Sequence, residues 1–214
     1  MQVASTLRLI LFACVCVAIT AAYGQDRHHF NISAGAGVSM PTADATSNLN
    51  TGWNLDFRGG LDVTSGFLAD LDFSFNHWGL SNAALSNFGQ PGGYVDVWSI
   101  SFVPVVRLAP HHFIDPYILG GGGIYHRNLS LTQPATVQTI FCDPFFGYCY
   151  PALVGVNQVV ASFSTFKPGF DLGGGVDFRV GSGLRLFAEA RYNEMFTTHG
   201  PNLSYVPVTF GVRW

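Results

Sequence analysis

Cys142 and Cys149 are the two residues of this chain whose type and spacing point most directly to a chemistry. Two thiols this close in sequence can form a disulfide in an oxidising compartment or supply two ligands to a zinc ion. A tetrahedral zinc site needs four ligands, and no histidine lies near this pair in the sequence. Because the N-terminus described below directs the chain to an oxidising compartment, we expect a disulfide and no metal site here.

A glycine run and two histidine pairs are weaker candidates. A glycine-rich loop holds phosphate when a helix starts after it, but Gly120–Gly123 is followed by Ile124-Tyr125-His126, which continues a strand pattern. We therefore expect close packing of strand backbones at these glycines and no nucleotide. His28-His29 and His111-His112 could ligate a metal ion. The strand order below puts them on opposite sides of the fold, which favours solvated residues at its rim.

The N-terminus has the pattern of a secretory signal. Arg8 precedes the short apolar stretch Leu9–Thr20, and small residues then lead to a predicted cleavage site after Gly24. The apolar stretch is shorter than the roughly 20 residues of a membrane-spanning helix. A lipid anchor on Cys14 is a weaker alternative, because little apolar chain precedes it.

Composition favours a membrane barrel. Removal of residues 1–24 would leave one domain, residues 25–214. Only 11% of the chain is charged, against about 25% in ordinary globular proteins. No apolar run of about 18 residues follows the signal, which argues against spanning helices. Low charge with apolar residues at alternate positions is typical of a transmembrane β-barrel. The mildly acidic balance, with no basic patch, argues against nucleic acid as a partner.

A pass for period-2 alternation predicts eight strands. Each is near or above the 9–11 residues that a tilted strand needs to cross a bilayer. The predicted strands are 29–38, 52–63, 67–78, 95–108, 117–128, 163–180, 184–196 and 204–214.

Charged residues follow one parity of these strands. An Arg or Lys on the lipid face at mid-membrane costs about 2–4 kcal/mol, so this parity should face the lumen. The predicted lumen charge network is Asp56, Arg58, Asp62, Asp70, Asp72, Arg107, Asp171, Asp177, Arg179, Arg185, Glu189, Arg191 and Arg213. Asp96 and Arg127 are exceptions at strand ends. The outward face predicted for the fifth strand is Tyr117, Leu119, Gly121, Gly123 and Tyr125.

A soluble β-sandwich or lipocalin-like barrel would alternate in the same way, with its apolar face inward. The connections favour the membrane barrel. Thr64-Ser65-Gly66 and Gly181-Ser182-Gly183 are tight turns, and 109–116 is of medium length. Long connections at 39–51, 79–94, 129–162 and 197–203 alternate with them. Short periplasmic turns and longer external loops are typical of transmembrane barrels.

Three segments carry a resemblance to a known family. They are Pro116–Gly123, Leu186–Tyr192 and Val208–Trp214. With them the chain resembles small eight-stranded outer-membrane proteins of the OmpA-transmembrane-domain or OmpX type. The resemblance implies an all-β, eight-stranded antiparallel transmembrane β-barrel in the bacterial outer membrane, in contact with its lipids. It also implies that the assembly machinery reads the last strand through Phe210 and Trp214. The sequence stops at the eighth strand, so no peptidoglycan-binding domain is expected to follow.

Some eight-stranded barrels of this kind are lipid A deacylases or acyltransferases. Lipid A deacylases have a histidine followed two positions later by serine. Here His126 is followed by Arg127 and Asn128, so the nucleophile is missing. We expect no enzymatic activity and no catalytic, cofactor-binding or metal-binding residues.

The expected role is structural. Eight strands leave an interior just wide enough for side chains, so nearly balanced buried charges should pair there and leave no wide channel. The alternative is an OmpW-like barrel that binds or passes small apolar molecules. Segment 129–162 is the predicted contact surface for an unidentified extracellular partner, although its aromatics could instead pack on neighbouring loops or the membrane interface. Those aromatics are Phe141, Phe145, Phe146, Tyr148 and Tyr150.

Overall fold

Eight antiparallel strands close into a barrel in chain order, with β1 paired to both β2 and β8. The computed structural model describes residues 30–110, 112–180, 183–198 and 200–214. The strands are β1 Phe30–Thr42, β2 Gly52–Thr64, β3 Phe67–Gly79, β4 Gly92–Arg107, β5 Ile114–Cys142, β6 Cys149–Arg179, β7 Arg185–Met195 and β8 Leu203–Arg213. The eight-stranded fold predicted from the sequence is confirmed. The signal segment 1–24, His28-His29, His111 and Gly181-Ser182 lie outside the described residues.

The two ends of the barrel differ. At one end, the turn end, β2 and β3 join through a tight turn in which the backbone N–H of Gly66 donates to Thr64 Oγ1. The last residue, Trp214, pairs there with Ile32 through two backbone hydrogen bonds of 2.8 and 3.1 Å. At the other end, the loop end, the long connections gather. This alternation of short and long connections is the one expected from the sequence.

Two short helices cover part of the loop end. The β1–β2 connection contains a 3₁₀ helix, Ala43–Ser47, and the β3–β4 connection contains helix α1, Asn82–Phe88. Ser81 caps α1 by accepting a hydrogen bond from the Ala84 N–H, and Gly89 ends it in the left-handed conformation. Among the described residues, no helix is long and apolar enough to cross a bilayer.

Alternation along the strands sets the two faces of the barrel wall. On β3, for example, Asp70 and Asp72 are buried inside, whereas Leu71 between them is exposed outside. Outward aromatics cluster near the loop end, where Phe75 lies 5.1 Å from Trp53 and 4.3 Å from Trp98, between ring centroids. Such an apolar outer face with aromatic residues near its rim matches the surface that barrels present to lipid.

The parity predicted for the fifth strand is wrong. Tyr117 is only 2% exposed and Leu119 and Tyr125 are also buried, whereas Ile118 is 54% exposed and Ile124 also faces outward. Both parities of this strand are apolar or glycine, so hydrophobic alternation alone does not specify which face is buried. In the observed parity Arg127 points inward with the other charged residues and is no longer an exception.

Gly120–Gly123 lies inside β5 and continues as strand on both sides. A Cβ atom added at Gly121 would collide with the carbonyl oxygen of Phe102 on β4. The glycine run therefore lets two strand backbones approach closely, as the sequence indicated, and no helix follows it that could cradle a phosphate.

β5 and β6 continue far beyond the barrel. The fifth strand was predicted to end at 128 and the sixth to begin at 163. In the structure β5 and β6 stay paired as far as Cys142↔Cys149, with one register shift near Leu131. β5 pairs with β4 only as far as Thr132, and β6 pairs with β7 only from Gly169 onward. Residues 133–158, here called the long hairpin, consequently form a two-stranded ribbon without neighbouring strands.

Candidate functional site: the barrel interior and the loop end

A central cluster of charges fills the middle of the barrel. Arg58 lies 2.8 Å from Glu189, between Nη2 and Oε1, and 3.2 Å from Asp72, between Nε and Oδ1. Arg191 reaches Asp72 at 2.9 Å and Glu189 at 2.6 Å, and also pairs with Asp56. These side chains are almost fully buried. Each guanidinium thus has several carboxylate partners, as buried charges require.

The partners in the central cluster come from strands on opposite sides of the barrel. Arg58 and Asp56 are on β2, whereas Glu189 and Arg191 are on β7. The hydroxyl of Tyr117 on β5 donates to Glu189 Oε2 at 2.7 Å. Ion pairs and hydrogen bonds therefore span the lumen.

A second cluster, the turn-end cluster, lies nearer the turns. Arg213 Nη1 is 2.7 Å from Asp177 Oδ2, and Arg185 Nη1 is 3.2 Å from Asp115 Oδ2. Arg107 lies 3.7 Å from each of these carboxylates. Asp115 was missed from the sequence, because it precedes the predicted start of the fifth strand at 117. Its odd-numbered parity, shared with Tyr117, is the signal that could have found it.

Four more residues predicted for the charge network make other contacts. Asn31 Nδ2 donates to Asp62 at 3.1 Å and to Asp70 at 3.2 Å, so both carboxylates have a neutral partner. Asp171 accepts a long hydrogen bond, 3.5 Å, from the Tyr125 hydroxyl. Arg179 is exposed at the turn end and donates to the carbonyl of Pro110 at 3.0 Å. Placing Arg179 in the lumen was wrong, since it is the last residue of β6 and reaches out to the rim.

An apolar layer, the loop-end plug, closes the barrel above the central cluster. Trp78 and Tyr205 are fully buried there, with ring centroids 4.8 Å apart, and the indole N–H of Trp78 donates to the Ser39 carbonyl at 3.1 Å. The remaining members of the plug are Ala45, Leu49, Leu80, Ala84, Val95, Val97, Tyr125, Leu131, Met195 and Leu203. The sequence predicted a polar, charge-paired interior, and this apolar layer was not predicted.

The tip of the long hairpin is a turn closed by a disulfide between Cys142 and Cys149. Asp143 Oδ1 accepts hydrogen bonds from the backbone N–H groups of Phe145 and Phe146, at 2.8 and 3.2 Å. Gly147 takes a positive φ of 70°, which glycine adopts without strain. The local hydrogen bonds explain why the only charged residue of segment 129–162 lies at the turn.

The aromatic side chains at the tip point into solvent. Phe145 is 90% exposed and Phe146 is 75% exposed, and Tyr148 and Tyr150 are also exposed. For these four residues, here called the tip aromatics, packing on neighbouring loops was the alternative expectation. The exposed surfaces of Phe145, Phe146 and Tyr148 are available for contact with something outside the chain. Phe141, the fifth residue of the predicted contact surface, pairs with Tyr150 through the strand register.

The model of one protein family covers the barrel and most of what precedes it. The family is the outer membrane protein beta-barrel domain, matched over residues 9–214. The chain belongs to this family. Membership in this family, together with the closed barrel, places the protein in the bacterial outer membrane. No curated protein matches its sequence.

Solved structures with the same fold support the architecture alone. Neisserial surface protein A has 14% sequence identity and a TM-score of 0.55, over 88% of this chain and 98% of that one. A major outer membrane protein from Thermus thermophilus has 11% identity and a TM-score of 0.50, over 87% and 99%. At such low identity this outer-membrane barrel shares their fold, and nothing about its role follows.

Two histidines of the outer-membrane barrel, among those that the structure describes, have plain structural surroundings. His126, weighed above against the deacylase motif, stacks on Phe166 on the outward face, with ring centroids 4.2 Å apart. His77 Nδ1 lies 2.6 Å from Asp96 Oδ1, directly across the β3–β4 pairing. This contact gives Asp96 a partner near the loop end, although its parity is outward. The described residues contain no group of three or more His, Cys, Asp or Glu side chains placed to hold a metal ion.

Replacing both Cys142 and Cys149 by serine is expected to loosen the tip without affecting the barrel. The disulfide closes a short loop, so its contribution is at most about 2–3 kcal/mol in the loop-entropy model. The barrel itself is held by its closed strand ladders. The double variant should keep the faster migration of the unboiled folded form on gels, while protease cuts segment 129–162 more quickly. Two free thiols in protein isolated from an oxidising compartment would contradict the disulfide, and an unfolded double variant would contradict the independence of the barrel.

Proposed function

We propose that this protein is a structural outer-membrane β-barrel with a closed, charge-paired interior, and that its long hairpin is a contact surface outside the membrane. One observation carries the proposal. After Thr132 on β5 and before Gly169 on β6, these two strands pair only with each other, and they project apolar side chains into solvent. A barrel whose role ended at the membrane would have no use for such a ribbon.

The chemistry of the long hairpin favours contact with an apolar surface. Segment 129–162 has a single charged residue, Asp143. Isolated two-stranded hairpins are marginally stable in water, and large exposed apolar patches mark interaction sites. Besides the tip aromatics, exposed apolar side chains include Val137, Ile140, Leu153, Val154 and Val156. A partner that covers them would stabilise the ribbon and be bound by it.

The rest of the proposal concerns the membrane. The outward apolar face contacts outer-membrane lipids, and the barrel assembly machinery binds the last strand through Phe210 and Trp214, both of which are exposed on the outer face. The proposed role is non-enzymatic, because His126 stacks on an aromatic ring and has no serine two positions later.

Passage of small apolar molecules, as in an OmpW-like barrel, is the rival function. A path through the lumen would cross the turn-end cluster, the central cluster and the loop-end plug in turn. Opening it would separate partners such as Arg58 and Glu189, which are almost fully buried. Leaving charges unpaired in the lumen is costly, and this cost supports the closed barrel.

The contact surface can be tested on whole cells with an apolar probe. Cells displaying the protein should adhere to polystyrene beads, and the triple variant Phe145→Ser, Phe146→Ser and Tyr148→Ser should lose most of this adhesion. The matched control replaces three exposed polar positions of the same hairpin: Thr136→Ser, Gln138→Ser and Thr139→Ser. It should adhere like the unmodified protein. Equal adhesion of both variants at equal surface amounts would contradict the proposed contact surface.

A further inference from the structure

A cavity of about 310 Å³ lies at the loop end, between the two short helices and the wall of the barrel. Binding sites for small molecules are concave, mostly apolar, and carry a few polar groups that orient the ligand; their volumes begin at about 300 Å³. Most of the lining is apolar and includes Leu49, Leu80, Ala84, Val95, Leu129 and Leu203. Both the size and the lining fit a small ligand with an apolar body.

Arg127 supplies the cavity with a cationic group. It lies on β5, with its side chain on the inward parity, and lines the cavity. Its Nε atom is buried and has no hydrogen-bond partner. No carboxylate of the described residues lies within 4 Å of its guanidinium, although the arginines of the lumen clusters all have such partners. A buried donor without a partner is costly, and a bound anion would relieve that cost.

The other polar residues of the lining limit the charge of the ligand. Asp44 and Asn48 are exposed at the rim of the cavity, and Asn202 is half-buried. Asp44 would repel a second negative charge, although solvent screens it. One guanidinium beside one rim carboxylate suits a ligand head with a single negative charge. A carboxylate, which a guanidinium can hold through two parallel hydrogen bonds, meets this requirement better than a doubly charged phosphate.

We infer that this cavity binds a small amphipathic carboxylate, such as a medium-chain fatty acid, with its head on Arg127 and its chain among the leucines of the loop end. The site goes beyond the proposed structural role and does not depend on the long hairpin. Binding in this cavity also differs from passage through the lumen, because the loop-end plug forms the floor of the cavity. The plug and the cavity lining share Leu49, Leu80, Ala84, Val95 and Leu203.

The test uses the folded chain in lipid nanodiscs, with decanoate carrying carbon-13 at its carboxyl group as the probe. The carboxyl resonance should shift saturably on titration, and 1-decanol, which lacks the charge, should bind more weakly. Arg127→Gln should weaken decanoate at least tenfold, about 1.4 kcal/mol, and leave decanol unchanged. The matched control is Lys167→Gln on β6. Lys167 bonds to Thr198 and does not line the cavity, so decanoate affinity should stay as in the unmodified protein.

A second variant covers the case in which Arg127→Gln does not fold. Ala84→Phe fills the cavity from helix α1, outside the strands, and should remove binding of both probes. Unchanged decanoate affinity in either variant would overturn the site. Equal resonance shifts in nanodiscs without the protein would also overturn it, because decanoate would then be entering only the bilayer.

Discussion

Replacing Arg58 with leucine is expected to destabilise the folded barrel by about 3–5 kcal/mol, the usual cost of removing one partner from a buried ion-pair network. Arg58 is fully buried and contacts Asp56, Asp72 and Glu189. Without it, these three carboxylates face the single guanidinium of Arg191. Urea unfolding in lipid vesicles, followed by tryptophan fluorescence, measures the change.

Arg179→Leu is the matched control for this prediction. It removes the same charge from an exposed residue whose side chain donates a hydrogen bond to the Pro110 carbonyl and has no ion pair within the described structure. We expect a change of less than about 1 kcal/mol, as is usual for exposed sites. Adding Glu189→Gln to Arg58→Leu should restore part of the loss, since it removes one of the stranded charges. Equal unfolding midpoints for the two single variants would contradict the central cluster as a source of stability.

Leu172→Arg should impair membrane assembly severely. Leu172 is in the barrel-wall part of β6, on the outward face, where it is 62% exposed. An arginine at the middle of the lipid-facing surface costs about 2–4 kcal/mol. The yield of folded protein in lipid vesicles, read from the mobility of unboiled samples, should fall sharply.

Asn82→Arg serves as the comparison for Leu172→Arg. Asn82 is the first residue of helix α1 and is exposed at the loop end, away from the lipid-facing wall. The same new charge there should leave the refolding yield nearly unchanged. If both variants refold equally well, the outward parity of β6 is misassigned.

The sequence was sufficient to predict which face of a strand points into the barrel wherever charged residues lie on one face only. On β2, β3 and β7 the charged residues alternate with large apolar ones, so the lumen face follows from the cost of a charge in lipid. On β5 the central residues are glycine and apolar on both parities, and the wrong face was chosen. Asp115 and Arg127, which flank that stretch, share the parity of Tyr117 and would have corrected the choice.

The interior was predicted less completely than the wall. Parity brings Arg58, Glu189 and Arg191 to the lumen, but which carboxylate meets which guanidinium depends on strand stagger around the ring. The loop-end plug was missed because Trp78 and Tyr205 become neighbours only when β3 and β8 meet across the closed barrel. Contacts of this kind join residues far apart in sequence, so local periodicity does not predict them.

The long hairpin was predicted in outline. Cys142 and Cys149 indicated a closed tip, and alternation ended in the low-charge segment 129–162. The sequence indicated a hairpin of 136–141 with 152–161 above the membrane, and its continuous pairing with the barrel strands was not predicted. Pro134 and Pro151 lie within this ribbon, and proline does not donate to a strand ladder. Both prolines are accommodated because the ribbon has no neighbouring strand on either side after Thr132 on β5 and before Gly169 on β6. Backbone groups on its two outer edges therefore need no ladder partner.

Planar-bilayer conductance of the refolded chain tests the central claim, a barrel closed by its own side chains, most directly. With the turn-end cluster, the central cluster and the loop-end plug in place, insertion of the protein should produce no stepwise current in molar salt. Heat-sensitive gel mobility of the same sample verifies that the barrel is folded. Regular, reproducible open steps from folded protein would contradict the closed interior and favour passage through the lumen.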